Sequence, residues 1–306
     1  MGIRLLYWLL RRKRFYFSIA FIGFLVFAYD FLEFRQTNIA LKQELRQNPL
    51  HLEASIDFYQ EPQRRVRYVE IGDDAKPLIV FIHGAPSSIS FWQTLLTDSV
   101  LLSNAKLMAV DRPGYGYSNY GKPEVSIKEQ ARLIASILKE KRKFFRKIIL
   151  HGSSYGGTVA ARIAMDYPNL IDGLLLQSAS LEPGAETTYD ITYPTTHWAL
   201  EWLIPGSFKV ANHEKLTHRQ QLELMRPLWD RIVAPTIILQ GGADGLIFPS
   251  NAEYALQQLV NACSVELQIA PESGHDLLWT RRGLLVASLM KLVGDTTYAN
   301  LSQFNR

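Results

Sequence analysis

The sequence predicts an α/β domain whose sheet is mostly parallel and doubly wound. Eight short apolar runs, rich in Ile, Leu and Val, have the length of strands. Helical stretches alternate with the later runs, and this alternation favours parallel strands joined by crossover helices. The strongest local signal is Lys147–Thr158, where an apolar run leads directly into a glycine-rich turn and the start of a small-residue helix.

The first two predicted strands, Ile56–Tyr59 and Val66–Ile71, are expected to pair antiparallel. The other predicted strands are Leu78–Ile82, Leu107–Val110, Ile148–Leu150, Gly173–Gln177, Thr236–Gln240 and Val265–Ile269. The predicted helices are Ser126–Glu140, Thr158–Asp166, Asn251–Leu259 and Asp276–Leu292.

The length and composition fit one large globular domain or two small ones. The chain has 306 residues, of which 47% are hydrophobic, so a sizeable core is expected. Cys263 is the single cysteine, which excludes an intrachain disulfide framework and a thiolate metal site. We expect no metal and no organic cofactor.

The net charge of +4 is concentrated at the N-terminus. Residues 1–14 carry five Arg and Lys residues and no acid, and without them the net charge falls to −1. The body of the chain is therefore nearly neutral, and no nucleic-acid partner is expected.

A membrane segment is predicted directly after this basic cluster. Residues 15–34 are almost wholly apolar up to Asp30, and 18 of them (15–32) would make a helix of about 27 Å, just enough to cross a bilayer. Because the basic cluster lies N-terminal to the apolar segment, it predicts that the N-terminus is cytoplasmic and that the rest of the chain lies on the extracytoplasmic side of the membrane. A signal peptide cleaved after Ala28, which would give a secreted protein, and a buried or interfacial helix are the alternatives.

The rest of the chain divides by composition. Residues 35–54 are polar and helix-prone and are predicted to be a stalk, with Asn38 capping a short helix. Residues 55–293 are predicted to form the main globular domain, and 294–306 a C-terminal tail. Within the domain, residues 181–233 contain no predicted strand and are too long for a loop, so an inserted helical cap is expected there.

The turn after the strand at 148–150 has the pattern G-x-S-x-G. It places Ser154 between Gly152 and Gly156, where a sharp strand-to-helix turn lifts the serine hydroxyl above the sheet. The helix N-terminus that follows lies beneath the position where an oxyanion would form.

Four further motifs follow predicted strands, at the edge where open α/β sheets carry their sites. They are His83–Pro86 (HGAP), Asp111–Ser118 (DRPGYGYS), Gly241–Gly245 (GGADG) and Ser273–Asp276 (SGHD). With the serine turn they resemble the α/β-hydrolase superfamily, in the branch that has an HGxP oxyanion loop and a DRPGxGxS segment. The resemblance covers residues 55–293 and implies an eight-stranded α/β-hydrolase fold with a small cap.

The resemblance implies a catalytic triad in the chain order Ser, Asp, His. Ser154 corresponds to the nucleophile, His275 to the base that removes its proton, and Asp244 to the acid that orients the imidazole. The backbone N–H groups of Ala85 and Tyr155 correspond to the oxyanion hole.

Neighbouring polar residues are given structural roles. His83 is expected to support the oxyanion loop, Asp111 to order the turn at 111–118, and Asp276 to cap the helix after it.

The implied function is hydrolysis of an ester or a related acyl bond through an acyl-enzyme intermediate. Relatives that act on epoxides or haloalkanes use a carboxylate nucleophile, so Ser154 disfavours those reactions. The expected partner is a small, apolar acyl substrate, which the aromatic residues of the cap would bind. The alternatives are an amide or peptide hydrolase of the proline-iminopeptidase type and a non-catalytic ligand-binding member of the fold. The peptidase needs acidic residues near its pocket, and the cap offers Glu182, Glu186, Asp190, Glu201 and Glu214.

Overall fold

The protein is organised around one eight-stranded sheet, seen here in a computed structural model. The structure describes residues 2–294, apart from the side chains at 2–7, 9–11, 15, 25–28 and 30. The strands are β1 (Ser55–Gln60), β2 (Arg65–Ile71), β3 (Leu78–Ile82), β4 (Lys106–Val110), β5 (Ile148–Ser153), β6 (Gly173–Gln177), β7 (Thr236–Gly241) and β8 (Val265–Ala270).

The strand order across the sheet is β1-β2-β4-β3-β5-β6-β7-β8. Strand β2 is antiparallel to both of its neighbours, and the strands from β3 to β8 are all parallel. The predicted strands and the antiparallel first pair are therefore confirmed. Because β3, β4, β5, β7 and β8 run the same way, the five sequence motifs that follow them lie at one edge of the sheet.

Helices cover both faces of this sheet. The α-helices of the described residues are α1 (Gly2–Leu32), α2 (Asn38–Leu45), α3 (Gln93–Leu96), α4 (Ser99–Asn104), α5 (Ile127–Lys141), α6 (Tyr155–Asp166), α7 (Thr192–Thr195), α8 (Trp198–Glu201), α9 (Gly206–Met225), α10 (Ser250–Gln258), α11 (Leu277–Thr280) and α12 (Arg282–Val293). Short 3₁₀-helices occur at Ile89–Trp92, Pro168–Leu170 and Arg226–Arg231. The single helix predicted over 276–292 is thus two helices, α11 and α12.

The central strands are buried on both faces. Along β3 the side chains alternate: Leu78, Val80 and Ile82 belong to one apolar cluster, and Ile79 and Phe81 to the other. All five are fully buried. Alternation of side chains across a strand, with a helical layer on each face, explains why the whole strand is apolar and not merely every second residue.

The long N-terminal helix α1 includes the segment predicted to cross the membrane. Within residues 2–294, where side chains are described, no helix has both the length and the apolarity required for a membrane span. The structure therefore does not confirm the predicted transmembrane anchor.

The segment predicted to be a stalk packs against the domain. Leu41 and Leu45 of α2 are 0% exposed and belong to the apolar cluster on one face of the sheet. Asn48 is also buried and binds the Leu45 carbonyl through its side chain at 2.7 Å. The helix is capped by the side chain of Thr37, not by the predicted Asn38. The stalk prediction is wrong because a polar composition concealed two leucines spaced by one helical turn.

Residues 181–233, called the cap segment below, lie between β6 and β7 and contain helices α7 to α9. The aromatic side chains expected to form a substrate pocket are instead exposed: Trp198 is 81% exposed and Trp202 74%. Tyr189 and Tyr193 are also mostly exposed, whereas Trp229 at the end of the segment is buried. Of the predicted C-terminal tail, only Gly294 lies within the described residues.

Candidate active site

Ser154 occupies the turn between β5 and α6, in a backbone conformation that side chains rarely adopt. Its φ is 54° and its ψ −126°, at the N-cap of α6. The flanking glycines are required by space: a Cβ on Gly152 would lie 2.6 Å from Gly157 Cα, and one on Gly156 would collide with the Ile82 carbonyl. The strained turn of a serine between two glycines is therefore built as the G-x-S-x-G pattern predicted.

Asp244 and His275 are joined by a hydrogen bond at the same edge of the sheet. His275 Nδ1 lies 2.8 Å from Asp244 Oδ2, and the carboxylate is buried while the imidazole is partly exposed. The other carboxylate oxygen accepts the backbone N–H groups of Leu246 and Ile247, both at 2.9 Å. With Asp244 ionised, Nδ1 is the protonated nitrogen of His275, which leaves Nε2 available as a base.

The environment of Asp244 keeps it ionised. Burial raises the pKa of the carboxyl, but the hydrogen bond and charge of His275 and the two backbone donors outweigh it. The net effect is that the pKa of Asp244 lies below its ordinary value. An ionised carboxylate of this kind can hold the imidazole in one orientation and stabilise its positive charge.

The segment His83–Pro86 lies directly against the serine. A Cβ on Gly84 would lie 2.9 Å from Ser154 Cβ and 3.5 Å from its Oγ, so only glycine allows this approach. Ala85 follows at once, and Tyr155 is the first residue of α6. The two backbone N–H groups predicted for an oxyanion hole therefore belong to segments that flank Ser154.

His83 is fixed by hydrogen bonds on both ring nitrogens. Its Nδ1 lies 2.7 Å from the Gly84 carbonyl and its Nε2 accepts the Arg112 N–H at 3.0 Å. The side chain is fully buried, and burial, with the nearby Arg112 charge, lowers its pKa well below the ordinary value. These contacts confirm that His83 supports the loop in its neutral form.

Asp111 and Asp276 lie outside the Asp244–His275 pair. Asp111 is buried and accepts Arg67 Nε at 2.7 Å and the N–H groups of Ile89 and Tyr117 at 2.8 and 2.9 Å. It orders the turn at 111–118, as predicted. Asp276 occupies the N-cap position of α11, as predicted, but its side chain makes no capping hydrogen bond there.

The acidic residues of the cap segment have partners of their own. Glu214 is fully buried and binds Arg112, Glu186 binds Lys215 at 2.7 Å, and Glu201 binds Lys209 at 3.0 Å. Glu182 differs, because its Oε2 is buried without a hydrogen-bond partner among the described residues, and Asp190 is exposed. Three of the five carboxylates are therefore neutralised by cations of this chain.

A buried polar cluster beside the serine was not predicted from the sequence. Arg112 donates to Glu214, Gln130 and the carbonyls of His83 and Gly84, all within 3.1 Å. No local pattern pairs Arg112 with a residue 102 positions away. Within residues 2–294 no group of three or more His, Cys, Asp or Glu side chains is arranged to hold a metal ion.

Comparisons with known proteins agree with this architecture. Residues 79–288 match the profile of the alpha/beta hydrolase family. The chain is 38% identical over 107 residues to the pimeloyl-[acyl-carrier protein] methyl ester esterase of Proteus mirabilis, which covers 35% of this chain and 38% of that enzyme. It is 30% identical over 175 residues to epoxide hydrolase 1 of Caenorhabditis elegans, which covers 55% of this chain and 40% of that protein.

A solved esterase from Exiguobacterium antarcticum has the same fold, with a TM-score of 0.63 and 19% identity over 78% of this chain and 100% of that one. The alignments to the two curated relatives span about two fifths of those proteins. An eight-stranded sheet with a serine turn and an Asp–His pair at one edge defines the α/β-hydrolase architecture. With more than half its length matched, this chain belongs to the alpha/beta hydrolase family.

Proposed function

We propose that this protein is a serine hydrolase that cleaves an ester or a related acyl bond. The observation that carries the proposal is the hydrogen bond between His275 and a buried, ionised Asp244, at the edge of the sheet where the strained turn presents Ser154. A matched curated relative is named as a methyl ester esterase, which favours the same substrate class.

In the proposed mechanism His275 Nε2 takes the proton of the Ser154 hydroxyl as its oxygen attacks the carbonyl carbon. The negative charge of the tetrahedral intermediate lies on the former carbonyl oxygen, which accepts hydrogen bonds from the N–H groups of Tyr155 and Ala85. Its collapse breaks the ester C–O bond, and His275 returns the proton to the departing alcohol. Water, activated by the same imidazole, then releases the acid and regenerates the serine.

A serine nucleophile separates this proposal from epoxide hydrolysis. The match to an epoxide hydrolase shows common family membership, but the residue at the turn of this chain is Ser154, not a carboxylate. A serine ester formed with a carbonyl substrate can be hydrolysed by water through the same oxyanion hole. The structure therefore favours acyl transfer over epoxide opening.

The experiment is covalent labelling with a fluorophosphonate probe, which reacts with activated serines. The wild type and Ser154→Ala are compared, with Ser153→Ala as the matched control because it removes the neighbouring buried hydroxyl of the same turn. We expect labelling of the wild type and of Ser153→Ala, and none of Ser154→Ala. Labelling of a folded Ser154→Ala would refute the assignment, and a folded but unlabelled wild type would favour a non-catalytic ligand-binding protein.

We also propose that α1 anchors the protein in a membrane, with residues 1–14 in the cytoplasm and the domain on the other side. The sequence supports this through its basic cluster and the apolar residues that follow. Exposed apolar side chains lie on several sides of the helix, because their spacing distributes them around its axis. They include Phe17, Ile19, Ile22 and Phe24, each more than half exposed.

The anchor is tested by carbonate extraction of membranes and by protease protection of the full chain. The protein should stay with the membrane pellet, and the domain should be digested only from the extracytoplasmic side. Release by carbonate would refute the anchor, and recovery of a shortened chain in the medium would show cleavage of a signal peptide.

A further inference from the structure

One helix of the cap segment is linked to both segments assigned to the oxyanion hole, to one directly and to the other through Arg112. Glu214 and His218 are four residues apart on α9, so their side chains lie on one face, one turn apart. Both are fully buried. Glu214 binds Arg112, whereas the ring of His218 packs on Tyr155.

Arg112 connects Glu214 to the loop that holds Ala85. Glu214 Oε1 accepts Arg112 Nη1 at 2.6 Å and Oε2 accepts Nη2 at 3.1 Å, a two-point ion pair away from solvent. The same guanidinium donates from Nε to the His83 carbonyl at 2.8 Å and from Nη2 to the Gly84 carbonyl at 3.1 Å. Glu214 therefore fixes the Arg112 guanidinium, which donates hydrogen bonds to two consecutive backbone carbonyls.

The hydrogen bond from Arg112 to the Gly84 carbonyl affects the neighbouring Ala85 N–H directly. These two groups belong to one peptide unit, which is planar, so the direction of the carbonyl sets the direction of the N–H. A cationic donor on the carbonyl oxygen also polarises the peptide and strengthens its N–H as a donor. Arg112 is fully buried, so any effect that it has on the Ala85 N–H is transmitted through this peptide.

The second donor segment is held from the same helix. The Tyr155 ring contacts the His218 ring, with centroids 4.6 Å apart, and the Arg112 guanidinium, whose carbon is 4.6 Å from the ring centroid. The Tyr155 hydroxyl has no hydrogen-bond partner among the described residues. Packing, by these two neighbours and by the apolar cluster to which Tyr155 belongs, therefore holds the tyrosine ring.

We propose that Glu214 is a positioning residue for the oxyanion hole: through Arg112 it holds the Gly84–Ala85 peptide with the Ala85 N–H directed at the developing oxyanion. The inference rests on the proposed serine hydrolysis. It makes the cap segment a part of the catalytic apparatus that stabilises the transition state, in addition to any role in binding substrate.

The test compares Glu214→Gln with the wild type in the hydrolysis of p-nitrophenyl butyrate. We expect kcat to fall about 10- to 100-fold, because a displaced oxyanion donor acts in the transition state, and KM to stay within about twofold. Affinity for phenylboronic acid, which forms a tetrahedral adduct with the serine, should fall by the same factor as kcat/KM. If Glu214 served only folding, the affinity for phenylboronic acid and kcat/KM would not fall by the same factor.

Two further variants keep the test decisive. Glu223→Gln is the matched control: it removes a carboxylate on the same helix that pairs only locally, with Arg226 at 3.1 Å, and should leave kcat unchanged. Tyr115→Phe removes one hydrogen bond to Glu214, of 2.6 Å, and should lower kcat in the same direction by a smaller factor even if Glu214→Gln does not fold.

The inference is overturned if a folded Glu214→Gln keeps the kcat and the boronic acid affinity of the wild type. If Glu214→Gln does not fold, the same result for Tyr115→Phe overturns it. It is also overturned if the variant raises KM alone. Fluorophosphonate labelling of the wild type separates this failure from a failure of the proposed function, because an unreactive Ser154 would remove both, whereas a reactive one isolates the role of Glu214.

Discussion

Buried neutral histidines should make this protein sensitive to mild acid, and His151 gives the clearest case. It lies on β5, fully buried and in contact with the rings of Trp92 and Phe81, with Nε2 2.9 Å from Gln177 Oε1. Burial disfavours the charged imidazole more than the hydrogen bond to Gln177 favours it. The pKa of His151 is therefore lowered from an ordinary value of 6.5 to about 3.

The sign and size follow from proton linkage. Below pH 6.5 the unfolded chain binds a proton at His151 while the folded protein does not, so the free energy of unfolding falls as the pH falls towards 3. Between pH 7 and pH 5 this single group accounts for a loss of about 2 kcal/mol. His83 and His218, whose pKa values are also lowered by burial, act in the same direction.

The assay is urea unfolding of the detergent-solubilised chain near pH 7 and near pH 5. His151→Gln keeps a hydrogen-bonding group towards Gln177 but has no proton to gain. Whatever its stability at pH 7, the variant should lose about 2 kcal/mol less than the wild type on acidification. Equal losses in the two proteins would show that His151 is already protonated, or solvated, in the folded state.

Two further predictions concern the site and the N-terminal part of the domain. Asp244→Asn should lower kcat about 10³- to 10⁴-fold with little change in KM, because the neutral amide no longer holds the productive tautomer of His275; near-normal ester turnover would contradict the triad. Leu41→Ala should lower the free energy of unfolding by about 3 kcal/mol, whereas Ile39→Ala, at a side chain that is 73% exposed, should change it little. Equal and small effects in urea unfolding would restore the view of residues 35–54 as a stalk.

The sheet could be predicted well from sequence because buried parallel strands leave a strong local signal. Each is an apolar run bounded by turn residues, and the predicted and observed limits of β3 and β6 are identical. Strand β5 was underestimated: it continues through His151, Gly152 and Ser153, which carry no apolar pattern but are fully inside the sheet.

The contacts of the cap segment could not be predicted in this way. Aromatic content indicates that a side chain has apolar surface, but not which surface it meets, and Trp198 and Trp202 are largely exposed. The pairing of Glu214 with Arg112 depends on how α9 lies over the sheet, which no local periodicity encodes. Motifs at strand ends could be predicted to lie together because parallel strands all end at the same edge of the sheet. The contacts made by an inserted segment follow no such rule.

The junction after α1 limits how the domain can move. Only residues 33–37 connect α1 to α2, and both ends of this link are held: Ser207 Oγ donates to the Leu32 carbonyl at 2.6 Å, and Arg67 Nη1 donates to the Gln36 carbonyl at 2.9 Å. The rings of Phe34 and Phe208 add a contact with centroids 6.0 Å apart. A freely linked helix would sample many directions relative to the domain, but here residues of the cap segment and of the sheet hold the link at both ends. The edge of the sheet that carries Ser154 therefore has a defined orientation relative to the end of α1 at Leu32.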